Sequence, residues 1–314
     1  MEIVNVEERK FKSPRVREFV VNEHGRFTVT FIAGVHGNEY GAMLLAGTIA
    51  DILSGHDDNL LSTNPFIHSV YVLQYANVTG FINDARDMII NGANDLNRMW
   101  GDTVNVRELI KQLVRESDVV IDMHTSPQVA QMFLLERCDN TSGLMADILM
   151  DHTLKVPSPA FGMRHTDPNE MGMTIKSYVN SMNKIGLTWE QKHYYPMYHE
   201  EYVDYCVKSI DMIFPVVCKI ANLLDKCGFN QEGRYKIDSM TSIPTHSAGV
   251  VNYSVKLGDY VSRGEEIARI EDLNGVVVDK IISPYRGIIL TLCDTPYARC
   301  GSEICLLQPL PENK

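Results

Sequence analysis

The sequence predicts an α/β protein followed by a small all-β domain. In the first two thirds of the chain, strand-like apolar runs alternate with helical stretches, which is typical of a central, largely parallel sheet covered by helices. After about Gly233 the pattern changes to short apolar runs separated by Gly and Asp turn signals, which indicates a β unit. We therefore predict two domains, over 1–232 and 233–314, each long enough to bury its own core.

The predicted first domain contains several strand-like runs and helical stretches. The strand-like runs cover 27–35, 69–73 and 119–123. The helical stretches cover 40–53, 106–116, 144–152 and 202–225. Functional side chains of such sheets collect at strand ends, so the polar residues that follow these runs are the candidates for a site.

Three polar segments, set far apart in the chain, together contain the parts of a catalytic metal site. They are His36-Gly37-Asn38-Glu39, Asp95-Leu96-Asn97-Arg98 and Asp122-Met123-His124. His36 and Glu39 stand three residues apart at a predicted helix start, so a ring nitrogen and a carboxylate oxygen can reach one ion. His124 directly follows the strand-like run over 119–123. Two His and one carboxylate leave the fourth position of zinc open to water, as in catalytic sites.

Each segment alone has a simpler interpretation. An H-x-x-E sequence is more often the start of a surface helix than a ligand pair. The D-x-H segment could be a strand end whose polar residues face solvent, and residues 95–98 could form a turn closed by an Asn side chain. The order and context of the three segments favour the joint metal site.

The same segments resemble the aspartoacylase and succinylglutamate desuccinylase family, relatives of the zinc metallocarboxypeptidases. The resemblance rests on Gly-Val-His-Gly-Asn-Glu over 34–39, Asn-Arg within 95–98 and D-x-H over 122–124. It implies a metallocarboxypeptidase-like mixed sheet flanked by helices. It also implies a zinc-dependent amidohydrolase that removes an acetyl- or succinyl-type acyl group from an N-acyl amino acid or related amine.

The resemblance assigns roles to the residues of the three segments. His36, Glu39 and His124 match the ligands of one zinc ion per chain. Asn97 and Arg98 match the pair that grips the substrate carboxylate, a role that suits the guanidinium fork. Asp95 matches the acid that orients the first histidine ligand, a common partner of metal-bound imidazole.

Two further residues match catalytic positions of the family. Arg86 ends a segment that runs from Asn77 through Gly-Phe to Arg, where the family's arginine polarises the scissile carbonyl and stabilises the oxyanion. The family usually has Pro where this chain has Val78. Glu190 ends a T-x-E strand and matches the general base, which takes a proton from water and passes it to the leaving amine.

The T-x-E segment that contains Glu190 does not match the family pattern completely, so other carboxylates stay open as the general base. The family commonly places Gly two residues after its glutamate, where this chain has Lys192. Glu170 and Glu200 are therefore alternative candidates for the base.

The composition and the cysteine content predict a cytoplasmic globular protein. The net charge is −11 and no block of Lys and Arg offsets it, which argues against nucleic acid or an anionic membrane as a partner. The amino terminus mixes charges where a signal peptide needs an apolar stretch, and no long apolar run predicts a membrane span. The seven cysteines form no C-x-x-C pair, so neither a thiolate zinc site nor a disulfide framework is predicted.

The C-terminal domain resembles the sandwiched barrels that carry lipoyl or biotinyl groups. The hairpin that presents the modified lysine in those domains here spans Glu271 to Gly275 and has no lysine, while Lys280 falls inside a strand-like run. We therefore predict a structural copy without a prosthetic group. A loop of this domain is expected to select the substrate, and Tyr297 is its candidate substrate contact. In the predicted first domain, Arg164 and His165 are further candidates for contact with the substrate side chain.

Two other functions fit the same residues. One keeps the chemistry but takes short peptides, which would make the protein a metallocarboxypeptidase. The other is a non-catalytic, zinc-containing protein that binds a ligand through its β domain. The complete set of candidate ligands and Glu190 argues against the second alternative.

Overall fold

The N-terminal part of the chain is built on a seven-stranded mixed sheet. The computed structural model describes residues 16–55, 59–89, 93–98, 105–126, 133–136, 160–163, 174–182, 184–192, 199–227, 241–256, 259–293 and 296–309. The strands of the sheet are β1 (Val16–Val20), β2 (Phe27–Ile32), β3 (Ile67–Leu73), β6 (Val119–Ser126), β7 (Phe133–Glu136), β8 (Ala160–Met163) and β9 (Ile185–Lys192). Between them, β4 (Met88–Ile89) and β5 (Ala93–Asn94) form a separate two-stranded ladder.

The order of the strands places the parallel part at the centre of the sheet. The order is β1-β3-β2-β6-β9-β7-β8, in which β3, β2, β6 and β9 run parallel. Strands β1 and β7 run antiparallel to their neighbours β3 and β9, and β8 is parallel to β7. The predicted α/β class with a mixed sheet is confirmed.

Helices cover both faces of this sheet. They are α1 (Tyr40–Ser54), α2 (Val78–Ile82), α3 (Asn105–Glu116), α4 (Ile175–Ser181) and α5 (His199–Cys227). Apolar residues of α1 and α5 form one core with the sheet, and those of α3 and α4 form another on its opposite face. No helix in the described part of the chain is long and apolar enough to cross a membrane.

The alternation of side chains along β6 and β9 decides which residues face the α3 and α4 side. Val119, Ile121 and Met123 belong to the core with α1 and α5, whereas Val120 belongs to the opposite core. Because side chains alternate along a strand, Asp122 and His124 lie on the same face as Val120. In β9 the alternate residues Ile185, Leu187 and Trp189 are likewise in the first core, which places Glu190 on the face of His124.

The observed elements extend or shorten the predicted ones by a few residues, with one informative difference. The run predicted as a strand over 27–35 ends at Ile32. Gly34 has a φ of 67°, and a Cβ at that position would lie 2.9 Å from Cγ of Met43. A turn with a backbone conformation that favours glycine therefore ends the strand before His36. The predicted helix over 144–152 lies outside the described residues.

The C-terminal part consists of two antiparallel sheets with a shared core. Its strands are β10 (Thr241–Pro244), β11 (Gly249–Tyr253), β12 (Tyr260–Val261), β13 (Glu266–Glu271), β14 (Val277–Ile282), β15 (Gly287–Leu292), β16 (Tyr297–Ala298) and β17 (Glu303–Pro309). They are ordered β10-β17-β15-β12 and β14-β13-β11-β16. Buried residues of both sheets, such as Leu307 and Ile270, contribute to one core. The predicted all-β unit is confirmed, and Lys280 lies inside β14 as predicted.

The predicted boundary between the domains, at 232/233, stays a prediction because residues 228–240 lie outside the described part of the chain. Among the described residues, no disulfide joins cysteines 206, 218, 293, 300 and 305.

Candidate active site

His36 and Glu39 lie in a turn between β2 and α1. The backbone N–H of Glu39 donates to the carbonyl of His36 at 3.3 Å, and α1 begins at Tyr40. The pair thus precedes the helix and is not part of its first turn, which corrects the predicted helix-start geometry. The turn still brings His36 Nδ1 to 2.8 Å from Glu39 Oε1.

His124 completes a buried cluster with these two residues. Its Nδ1 lies 2.9 Å from Glu39 Oε2 and 3.1 Å from His36 Nδ1. The candidate ligand atoms of the three residues all lie within 4.8 Å of one another. His36 and His124 are each 3% exposed and Glu39 is 8% exposed. The three residues that we predicted as metal ligands are therefore close enough to hold a single ion.

A carboxylate binds the outer nitrogen of each histidine ring. Nε2 of His36 lies 3.1 Å from Asp95 Oδ1, and Nε2 of His124 lies 3.0 Å from Asp122 Oδ2. Both rings therefore present Nδ1 to the cluster, and such carboxylates orient metal-binding imidazoles. The contact of Asp95 is the one that the family resemblance implies.

Sequence reasoning missed the role of Asp122. The residue is fully buried, so the alternative in which the D-x-H segment faces solvent is wrong. The signal was available, since two residues spaced by two on one strand share a face. Asp122 and His124 meet because that spacing places their side chains side by side on β6.

Replacing Asp122 with Asn is expected to lower zinc affinity about 10–100-fold, the usual cost of losing a carboxylate that orients a ligand. The amide still accepts a hydrogen bond from His124 but lacks the negative charge. Competition with a fluorescent zinc chelator measures the change. Asp118→Asn is the control, since Asp118 precedes the same strand and binds the backbone N–H of Thr28 instead. Equal zinc affinity of D122N and wild type would contradict the role of Asp122.

The charges in the cluster favour an imidazolium between two carboxylates when no metal is bound. Burial disfavours the charged form of His124, but Asp122 and Glu39 outweigh it and raise the pKa of His124 well above 6.5. Burial also opposes ionisation of Glu39, yet the charge and hydrogen bond of His124, with those of His36, lower the pKa of Glu39 well below 4.5. The backbone N–H of Thr125 donates to Glu39 Oε2 at 3.1 Å and adds to this stabilisation.

Zinc binding is therefore expected to release about one proton per ion near neutral pH, because a ligand imidazole must be neutral. In the metal-free protein the raised pKa keeps His124 protonated, so zinc has to displace that proton. The apparent affinity should fall as the pH falls below the raised pKa. Calorimetry in buffers of different ionisation enthalpy counts the protons. A binding enthalpy that does not vary with the buffer would show that His124 is already neutral.

Asn97 and Arg98 lie in a tight turn that begins at Asp95. Asp95 Oδ1 accepts from the backbone N–H of Asn97 at 2.8 Å, and the N–H of Arg98 donates to the carbonyl of Asp95 at 3.0 Å. The turn is thus closed by Asp95 and not by an Asn side chain. Partial burial opposes ionisation of Asp95, but the hydrogen bond and charge of His36, together with the hydrogen bond from Asn97, lower the pKa of Asp95.

The side chain of Asn97 is turned into the protein. Asn97 is 7% exposed, its Oδ1 accepts from the backbone N–H of Ile175 at 2.8 Å, and its Nδ2 lies 3.3 Å from His124 Nε2. Nη1 of Arg98 donates to the carbonyl of Asn97 at 2.9 Å. In this geometry Asn97 joins α4 to the His124 side of the cluster, and its contact with a substrate carboxylate stays a prediction.

Arg86 lies at the edge of the cluster. Its Nη1 is 3.4 Å from Glu39 Oε1 and its Nη2 is 3.6 Å from Asp95 Oδ2. The side chain is 49% exposed, so the guanidinium faces both the cluster and solvent. A positive group in this position can meet negative charge that develops near the candidate ligands.

Glu190 lies beside the candidate ligands on the neighbouring strand. It pairs in register with His124 and, as derived above, projects on the same face of the sheet. Burial is the main cause that raises the pKa of Glu190; the nearby His124 opposes the shift, and Glu39 and Asp122 add to it. A raised pKa suits a group that must both take up and give back a proton. Glu170 and the side chain of Glu200 lie outside the described residues.

Three residues that we predicted as substrate contacts stay predictions. Tyr297 lies in β16, pairs with Val250 and is 49% exposed. Arg164 and His165 lie outside the described residues.

The donor chemistry of the cluster fits a catalytic zinc ion. Two imidazole nitrogens and one carboxylate oxygen are the ligands of many catalytic zinc sites, and both rings are already oriented. The cluster lies at the carboxyl ends of parallel strands, where active sites of α/β sheets form. Together with the adjacent Glu190, the fold and the site define a hydrolytic enzyme.

Comparison with known proteins identifies the family. The catalytic domain of succinylglutamate desuccinylase and aspartoacylase matches residues 27–205. The chain therefore belongs to the succinylglutamate desuccinylase/aspartoacylase family, whose members are N-acyl amino acid deacylases that hydrolyse an amide C–N bond. The resemblance predicted from the three motifs is confirmed.

Solved structures support the same fold. A succinylglutamate desuccinylase/aspartoacylase from Rhodobacter sphaeroides is 15% identical with a TM-score of 0.65, over 96% of this chain and 90% of that one. A succinylglutamate desuccinylase from Silicibacter sp. TM1040 is 17% identical with a TM-score of 0.59, over 94% and 88% of the two chains. A mutant of murine aminoacylase 3 is 14% identical with a TM-score of 0.55, over 91% and 97%. The comparison with curated protein sequences gave no match.

Proposed function

We propose that the protein is a zinc-dependent amidohydrolase that removes an acetyl- or succinyl-type acyl group from an N-acyl amino acid or related amine. One zinc ion per chain would be held by His36, Glu39 and His124. The observation that carries the proposal is the convergence of these three residues, with Glu190 on the next strand, in a chain of a deacylase family. We further propose a cytoplasmic location and a small-molecule substrate, with neither nucleic acid nor membrane as a partner.

The residues of the site divide the work of amide hydrolysis. Zinc would supply Lewis acidity toward the acyl carbonyl and toward water. The Glu190 carboxylate takes a proton from the attacking water and passes it to the leaving amine, which departs as a neutral group. The Arg86 guanidinium stabilises the negative charge that develops on the former carbonyl oxygen. Arg98, with Asn97 beside it, anchors the substrate carboxylate.

The first test is a substrate panel. We expect the zinc-loaded protein to release amine from at least one compound in a set of N-acetyl and N-succinyl amino acids. Unblocked dipeptides are assayed in parallel. Turnover of dipeptides alone would make the protein a metallocarboxypeptidase. Bound zinc without any turnover would favour a ligand-binding protein.

A further inference from the structure

We propose that Asn77 is a positioning residue for Arg86. It holds the loop of residues 78–86, which begins with α2, against the turn of residues 33–39 that contains His36 and Glu39, here called the metal-binding turn. The inference rests on the proposed function, since it explains how the oxyanion-stabilising arginine is kept in place. Asn77 follows β3, precedes α2 and is 1% exposed. It touches neither the candidate ligands nor, in the proposed mechanism, the substrate.

The side-chain amide of Asn77 closes the loop at both ends. Its Oδ1 accepts from the backbone N–H of Gly80 at 2.9 Å and from the hydroxyl of Thr79 at 3.2 Å. Its Nδ2 donates to the carbonyl of Arg86 at 3.2 Å. One buried side chain thus caps the first turn of α2 and binds the backbone of Arg86, nine residues further along the chain.

The metal-binding turn contacts the same carbonyl. The backbone N–H of Gly37 donates to the carbonyl of Arg86 at 3.2 Å. A Cβ on Gly37 would lie 2.1 Å from the carbonyl carbon of Gly80, so this approach requires glycine. The backbone N–H of Asn77 also donates to the carbonyl of Gly34 at 2.7 Å. The loop and the turn are therefore joined at several backbone points.

These anchors matter because the side chain of Arg86 is held loosely. It is half exposed, and its distances of 3.4 Å to Glu39 and 3.6 Å to Asp95 are long for charged hydrogen bonds. The position of the guanidinium then depends on where the backbone of Arg86 is fixed. Small displacements of a catalytic group cost a large part of its effect.

Two variants of Asn77 test the proposal. Asn77→Asp keeps the acceptor for Gly80 but sets a carboxylate oxygen against the carbonyl of Arg86. Asn77→Ser keeps a helix cap but cannot reach that carbonyl, and serves if N77D folds poorly. Thr79→Val is the matched control, because it removes a hydrogen bond from the same amide without touching Arg86.

The first readout does not depend on activity. Hydrogen–deuterium exchange in residues 78–86 should be about tenfold faster or more in N77D and N77S, and close to wild type in T79V, because buried hydrogen bonds control local opening. Unchanged exchange in both Asn77 variants would overturn the proposal, whatever the substrate of the enzyme proves to be.

The second readout separates positioning from general destabilisation. On the substrate found by the panel, kcat should fall about tenfold or more in N77D with zinc content unchanged, as expected for a lost transition-state contact. In an Arg86→Ala background, N77D should have little further effect, since both changes act through the same guanidinium. A full additional loss in that background would overturn the proposal. If the wild type turns over no substrate, the proposed function fails while the exchange experiment still decides the role of Asn77.

Discussion

Replacing Glu190 with Gln is expected to lower turnover by about 10²–10⁴-fold, the contribution of a well-placed general base, while zinc stays bound. Gln has nearly the same shape but cannot take a proton from water. Glu190 is not among the three candidate ligands, so the metal site should survive the change. Steady-state kinetics of the zinc-loaded variant, with zinc content measured on the same sample, checks both statements.

The controls for this experiment are the rival glutamates. Glu170→Gln and Glu200→Gln should retain most of the wild-type activity. Should E190Q keep substantial turnover while one of the other two loses it, the base has been assigned to the wrong residue and the register of the T-x-E segment must be revised.

Replacing His124 with Ala should have two large effects. The protein should lose stoichiometric zinc and with it all turnover, because one of three ligands is gone. The metal-free variant should also lose about 3–5 kcal/mol of unfolding free energy, since the buried carboxylates of Asp122 and Glu39 lose the cation that they share. Metal analysis measures the first effect, and urea unfolding with a chelator present measures the second.

The pH dependence of this loss of unfolding free energy tests whether the charge of His124 causes it. The folded pKa of His124 is raised, so its stabilising contribution is fully present below 6.5 and is lost as the pH rises through the raised value. The stability difference between wild type and H124A should therefore narrow at high pH. His68→Gln is the control, because His68 lies in β3 and its Nδ1 contacts the carbonyl of Asn22. A difference that does not change with pH would contradict a charged His124.

The sequence predicts which residues form the site better than it predicts the hydrogen bonds between them. The period-two pattern of β6 and β9 is enough to place His124 and Glu190 on one face once the strands are recognised. The same pattern places Asp122 on the face of His124, but it does not show that this face is buried, because a buried Asp and a solvent-facing one have the same spacing on a strand. The inward turn of Asn97 was equally hidden, since it depends on the backbone of Ile175, far away in the chain.

The end of β2 shows a related difficulty. The apolar run continues to Val35, and hydrophobic pattern alone predicts a strand over that length. The turn at Gly34 depends on the side chain of Met43 and the backbone of Asn77. These contacts join residues that are not neighbours in the sequence, so the sequence pattern does not reveal them. Local propensity was overruled there by contacts that form only in the folded protein.

The candidate ligands are far apart along the chain, so zinc binding requires that the central sheet has formed. His36 and His124 are 88 residues apart; His36 follows the central strand β2, and His124 lies in the central strand β6. Their side chains can meet only when β2 and β6 are paired, which is a contact between distant parts of the chain. Bound zinc would thus stabilise the contact between β2 and β6 more than any local helix. Fragments that lack either strand should bind zinc weakly. The C-terminal sandwich, with a core of its own, would gain nothing directly from the ion.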